Sequence, residues 1–127
     1  MSIKSSQSLV SEALKEVKTI TPNEALELSN ENNCNLIDIR DAHELETQGA
    51  IENSYNISRG LLEFAIHPDS QFVINEKIDL NKELVLFCAA GGRSALAAKT
   101  LQEMGFKKVS HVAGGFGAMK DSGFKIK

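Results

Sequence analysis

The chain has no excess of positive charge, no long hydrophobic run and no cysteine framework. Its 14 Lys and Arg face 17 Asp and Glu, for a net charge of −3. There is therefore no global basic surface to hold nucleic acid or an anionic membrane. No apolar stretch approaches the ~20 residues that cross a bilayer. The N-terminal stretch from Met1 to Lys18 lacks a continuous apolar segment of secretory type and carries Glu12 and Glu16. A cytoplasmic protein is expected, with neither nucleic acid nor membrane as a partner. The two cysteines, Cys34 and Cys88, fit no zinc or C-x-x-C spacing. A single disulfide would be unusual in a cytosolic chain, so they are read as separate thiols. Nothing suggests a metal or an organic cofactor, and no internal repeat or low-complexity segment stands out.

What is present suits one domain. A chain of 127 residues, 42% hydrophobic and 24% charged, has an ordinary globular composition. It can bury a real core without disulfides or metal. Residues 1–20 read as an N-terminal amphipathic helical extension and 21–127 as the domain proper. In the extension, Leu9, Val10, Ala13, Leu14 and Val17 recur at helical spacing, predicting a helix over 8–17 that packs on the domain. Lys18 to Ile20 read as a short strand.

The domain opens on Thr21-Pro22-Asn23-Glu24, which combines a cap, a first-turn proline and a capping box. That helix ends in Asn30 to Asn33. Leu36 to Ile39 predict a strand, 41–49 a helical turn and loop, and Ser54 to Ile57 a second strand. Ser58 is expected to cap a short helix through Leu61, Leu62 and Phe64, and His67 to Lys82 to form mainly a long loop. Leu84 to Phe87 are continuously apolar, as in a central parallel strand covered on both faces. Ser94 to Met104 form a helix ended by Gly105, with Phe106 folding back on Leu101. A strand over 108–112 and a closing helix after Gly114-Gly115 complete the order. Strands alternating with helices argue an α/β domain with a central, mostly parallel sheet. In such sheets ligands bind beyond the carboxyl ends of the strands.

Cys88 sits at such an end. Cys88-Ala89-Ala90-Gly91-Gly92-Arg93-Ser94 joins the buried strand to a helix. The N–H groups at a helix start have no intrahelical partner and can turn towards an anion. The small residues let that backbone curl without filling the cavity. Arg93 adds a permanent charge. Dipole, N–H groups and arginine would each favour thiolate over thiol. The turn lacks the G-x-G-x-x-G spacing and the Gly-Lys-Ser/Thr ending of nucleotide-binding loops.

The C-x-x-G-x-R-S pattern over Cys88 to Ser94 resembles the active-site loop of rhodanese domains, the sulfurtransferase family. The resemblance extends in order through Leu36-Ile37-Asp38-Ile39-Arg40, Glu44, Gly49-Ala50-Ile51 and Tyr55-Asn56-Ile57. It continues in Ser58-Arg59-Gly60-Leu61-Leu62-Glu63-Phe64, similar to a Pro-Arg-Gly-x-Leu-Glu-Phe segment of some members, and in Gly114-Gly115-Phe116. It implies a three-layer α/β fold and a nucleophile, Cys88, that takes sulfane sulfur from thiosulfate or a low-molecular-weight persulfide. The sulfur then passes to a thiol, cyanide or a sulfur-relay protein. Ala89, Ala90, Gly91, Gly92, Arg93 and Ser94 would cradle the substrate, and Arg59 would be a second cation in the pocket. Asp38, from its place at the strand end, is expected to support the loop through hydrogen bonds rather than to serve only as a cap or turn residue. The chain departs from the family over Gly49-Ala50-Ile51-Glu52-Asn53-Ser54, which lacks the frequent His, Pro and second Gly, and at Met119, where a tryptophan is frequent. It also departs at Ala89, where many thiosulfate-using members carry a basic residue.

Other residues are read more plainly. Arg40 and Glu44 are spaced for an exposed ion pair of little energetic weight. His111 reads as a packed or partly exposed core histidine, His67 as solvated, and Cys34 as a small buried hydrophobe ahead of a strand. A cysteine phosphatase or arsenate reductase of the related fold is the competing enzyme. Its loop holds one more residue between cysteine and arginine than the four found here.

Overall fold

The structure, a computed structural model, describes residues 2–75 and 77–127. In chain order the elements are α1 (Ser6–Leu14), β1 (Lys18–Ile20), α2 (Pro22–Asn30), β2 (Cys34–Asp38), α3 (Ala42–Gln48) and β3 (Tyr55–Asn56). They continue with a 3-10 turn (Arg59–Leu61), α4 (Leu62–Ile66), α5 (Gln71–Ile74), β4 (Glu83–Phe87), α6 (Gly92–Met104), β5 (Val109–Val112) and α7 (Gly115–Asp121). The five strands form one sheet in the order β1-β5-β4-β2-β3, with every neighbouring pair parallel.

Strand β4 lies at the centre, and its apolar run alternates between two cores. Leu84 and Leu86 join Ile37, Ile39, Leu62, Ile66, Ala97, Ala98 and Leu101 on one face of the sheet. Val85 and Phe87 join Ile20, Ala25, Leu36, Val112, Phe116 and Met119 on the other. The period of two along the strand thus supplies both layers. Cys88, one residue past the strand, turns its thiol into the first core and is 1% exposed.

The local signals act as the chemistry requires. Thr21 Oγ1 accepts from the Glu24 N–H at 3.1 Å, and Glu24 accepts from the Thr21 N–H at 3.1 Å. Gly105 takes φ +109, letting the Phe106 N–H return to the Leu101 carbonyl at 3.1 Å. β1 pairs with β5, and α1 packs on α6, so the first 20 residues add an edge strand and a helix to the body.

Several expectations need correction. α1 begins at Ser6, where the Ser5 hydroxyl caps it, and ends at Leu14. Ser58 makes no capping bond with its side chain. The stretch after His67 contains α5, capped by Ser70. Cys34 is the first residue of β2 rather than a residue before it, and is half-buried. Burial, with Glu83 beside it, pushes its thiol up to about 11, which keeps it protonated. No helix among the described residues is long and apolar enough to cross a membrane.

Candidate active site

β4 delivers Cys88 to the carboxyl edge of the sheet, and α6 starts four residues later. Gly91 bridges them in the left-handed region, at φ +110. This turn aims two N–H groups at the sulfur: Gly91 N lies 3.2 Å and Ser94 N 3.4 Å from Cys88 Sγ. Ser94 Oγ stands 3.6 Å from the same sulfur. Such donors stabilise negative charge on sulfur without needing a base.

The closing glycines explain themselves sterically. Gly115 sits at φ +61, and a Cβ there would lie 2.7 Å from the Ala89 carbonyl oxygen. Without one, α7 comes close enough for the Phe116 N–H to donate to the Cys88 carbonyl at 2.8 Å. The Phe116 ring in turn lies 4.0 Å from the Arg40 guanidinium carbon.

Arg40 is fully buried, and its partner is Asp38. Its Nε and Nη2 donate to the Asp38 carboxylate at 3.0 and 2.8 Å, and Nη2 also reaches the Gly49 carbonyl at 2.9 Å. The expected Arg40–Glu44 pair does not form. Just past a strand, residues two apart share a face, so Asp38 meets Arg40 first. Asp38 makes no hydrogen bond to the Cys88 loop among the described residues. It reaches the loop through Arg40 and Phe116.

Glu44 pairs instead with Arg93. Two guanidinium nitrogens donate to the two carboxylate oxygens at 2.8 and 2.9 Å, and the Asp41 N–H donates to the same carboxylate at 2.8 Å. The Arg93 hydrogen bonds hold the Glu44 carboxyl down at about 2, and Glu44 raises the Arg93 guanidinium further. This contact joins residues 49 apart and left no periodic signal in the sequence.

A cavity of about 320 Å³ opens over the sulfur. It is lined by Cys88, Ala89, Ala90, Gly92, Arg93 and Leu96, with Ser6 and Val10 of α1 on one side. Of the loop residues named from sequence, Gly91 and Ser94 are not among the lining residues; they turn their N–H groups to the sulfur instead. Arg59 is not among the lining residues: its guanidinium donates to Glu63 at 2.8 Å and to Thr100 at 3.2 Å. The role of α1 as a wall was not foreseen. A larger cavity, about 650 Å³, lies by Cys34 and the start of β2, and includes no residue of the Cys88 loop.

Behind the sulfur, Ser94 Oγ lies 3.0 Å from His111 Nδ1, and His111 Nε2 lies 2.9 Å from Thr19 Oγ1. Burial lowers the histidine's pKa, so the ring is neutral at pH 7.

Residues 21–122 match the rhodanese-like domain. The chain belongs to the rhodanese-like family. A mitochondrial protein of Schizosaccharomyces pombe, assigned by name to thiosulfate sulfur transfer, is 35% identical over 83 residues. That alignment covers 62% of this chain and 58% of that one, so the chain spans little more than half of that relative. The thiosulfate sulfurtransferase GlpE of Actinobacillus pleuropneumoniae is 30% identical over 107 residues, 84% of this chain and 90% of its own. Among solved structures, a Rhodopseudomonas palustris protein of unknown function, described as a possible tyrosine phosphatase, is 40% identical. It superposes with a TM-score of 0.85 and covers 100% of this chain and 98% of its own. These matches and the all-parallel five-stranded sheet agree with the three-layer α/β fold read from the sequence.

Proposed function

We propose that this rhodanese-like domain is a sulfurtransferase that carries sulfane sulfur as a persulfide on Cys88. The observation carrying this reading is the approach of the Gly91 and Ser94 N–H groups to Cys88 Sγ at the end of β4. In the first step the Cys88 thiolate attacks the outer sulfur of the donor. The donor's S–S bond breaks, and a thiolate leaves from a persulfide or sulfite from thiosulfate. In the second step an acceptor thiolate or cyanide attacks the outer sulfur of the Cys88 persulfide and regenerates the Cys88 thiolate. Covalent catalysis divides one transfer into two displacements. The loop N–H groups hold the charge in both.

The lining favours a low-molecular-weight persulfide over thiosulfate as donor. Among the described residues Arg93 is the one cation lining the cavity, and Glu44 already balances it. Ala89, Ala90, Val10 and Leu96 make the mouth apolar. A dianion gains little there, whereas the organic part of a persulfide gains buried area. The experiment is a comparison of kcat/KM for thiosulfate and glutathione persulfide with a common thiol acceptor. A clear advantage for the persulfide supports this donor class, and an advantage for thiosulfate overturns it.

The phosphatase reading finds a specific point of support in the description of the Rhodopseudomonas relative. Against it, four residues separate Cys88 from Arg93, and Sγ itself occupies the Gly91 and Ser94 N–H groups. Cys88-dependent turnover of an aryl phosphate would reverse the ranking.

A further inference from the structure

His111 and Thr19 form a hydrogen-bonded line behind the nucleophile that the two displacement steps leave unused. His111 is 1% exposed and Ser94 is fully buried. Thr19 lies outside the segment that matches the family. It stands opposite His111 because β1 pairs in register with β5.

One arrangement of hydrogens on this line leaves the Ser94 hydroxyl free for the sulfur. Ser94 Oγ has one hydrogen and three neighbours: the Gly91 carbonyl at 3.2 Å, Cys88 Sγ at 3.6 Å and His111 Nδ1 at 3.0 Å. A carbonyl accepts only, and so does a thiolate. If His111 Nδ1 were also bare, three acceptors would compete for one hydrogen. With a hydrogen on Nδ1, the imidazole donates to Ser94, and the serine hydrogen is left for the carbonyl or the sulfur. The neutral ring then has a bare Nε2, which accepts from the Thr19 hydroxyl at 2.9 Å. When the serine hydrogen turns to the sulfur, the Gly91 carbonyl keeps the Ala95 N–H at 3.2 Å. The turn therefore leaves no buried acceptor empty.

We propose that His111, in its Nδ1–H tautomer with the Thr19 hydroxyl donating to Nε2, is a positioning residue that reserves the Ser94 hydroxyl for the anionic sulfur of Cys88. The inference rests on the reading of Cys88 as the sulfur carrier and deepens it. The line supplies a third donor to the thiolate, and the same donor serves the charged sulfur of the persulfide. It works without proton transfer. The ring faces Thr19 from β1, Leu86 in register from β4 and Ser94 from α6, none of them charged. The nearby charged groups are held in ion pairs, Arg93 with Glu44 and Arg40 with Asp38.

The test is the pH profile of Cys88 alkylation by iodoacetamide, read at the Cys88 peptide so that Cys34 does not intrude. Ser94→Ala and His111→Leu should each move the profile to more alkaline pH by about one unit, the scale of one hydrogen bond to a charge. The double variant should move it no further than Ser94→Ala alone. His111→Asn, with an amide donor near the Nδ1 position, should restore most of the shift. An unmoved profile in His111→Leu, or additive shifts in the double variant, overturns the proposal. If His111→Leu does not fold, proton–nitrogen NMR of the wild-type imidazole decides. Hydrogen on Nδ1 with a bare Nε2 supports the line, and the opposite tautomer overturns it. Neither readout uses a sulfur donor. A protein that no donor loads would sink the sulfur-carrier reading while the positioning role is still judged.

Discussion

Arg93 does not hold a free charge over Cys88; Glu44 clamps it through two hydrogen bonds of 2.8 and 2.9 Å. An arginine next to a cysteine is easily read as an anion trap. Here the clamp ties the first turn of α6 to α3. Removing the carboxylate should therefore change donor preference. Glu44→Gln is expected to lower KM for thiosulfate several-fold and to leave kcat/KM for glutathione persulfide nearly unchanged. Equal changes for both donors would mean that the clamp positions the loop and does not set the charge of the mouth.

The same pair has a pH signature. The folded-state value of Glu44, about 2, lies below its ordinary 4.5. Its contribution to stability is therefore fully present above about pH 4.5 and is lost as pH falls towards 2. Both side chains are partly exposed, so the contribution is at most about 1 kcal/mol. Urea midpoints of wild type and Glu44→Gln should differ at pH 7 and converge in acid. A difference that grows on acidification would contradict the assignment.

Asp38 is the counterion of a fully buried arginine. Asp38→Asn leaves the Arg40 charge without its partner, and breaking a buried pair in this way costs about 3–5 kcal/mol. Urea denaturation measures the loss directly. Because Arg40 lies against Phe116, which hydrogen-bonds the Cys88 carbonyl, alkylation of Cys88 should also change in the folded variant. A cost below about 1 kcal/mol would show that the site relaxes or hydrates.

Gly115→Ala tests the close approach of α7 to the loop. Its positive φ and the 2.7 Å approach of a Cβ to the Ala89 oxygen add backbone strain to overpacking. A loss of about 3 kcal/mol or more is expected by urea denaturation. A nearly neutral substitution would mean that the two segments can part without harm.

Arg59 gives the opposite kind of prediction. It is held by Glu63 and Thr100 and does not line the cavity. Arg59→Ala should leave KM for thiosulfate within about twofold and cost a few tenths of a kcal/mol for the lost helical pair. A large rise in KM would return it to the pocket.

How much of this could be read in the sequence depended on range. Thr21 and Glu24, three residues apart, declared their capping box, and Leu84 to Phe87 declared the central strand. Cys88 to Ser94 form one local turn, and their small residues described its geometry. The contacts that complete the site are long-range. Glu44 meets Arg93 across 49 residues, and Thr19 meets His111 across 92. Only the folded sheet brings them together. Val10 read as one apolar position of an amphipathic helix, and periodicity does not say which surface such a helix covers. α5 was lost because four residues carry too little periodic pattern to register.

The central claim is that Cys88 accepts and carries sulfane sulfur, and intact mass tests it most directly. Wild type and Cys88→Ser would be incubated without reductant, first with thiosulfate and then with glutathione persulfide. The account predicts a mass gain of one sulfur atom on wild type alone, larger with the persulfide and removed by a thiol acceptor. No gain from either donor, or an equal gain on Cys88→Ser, would contradict it.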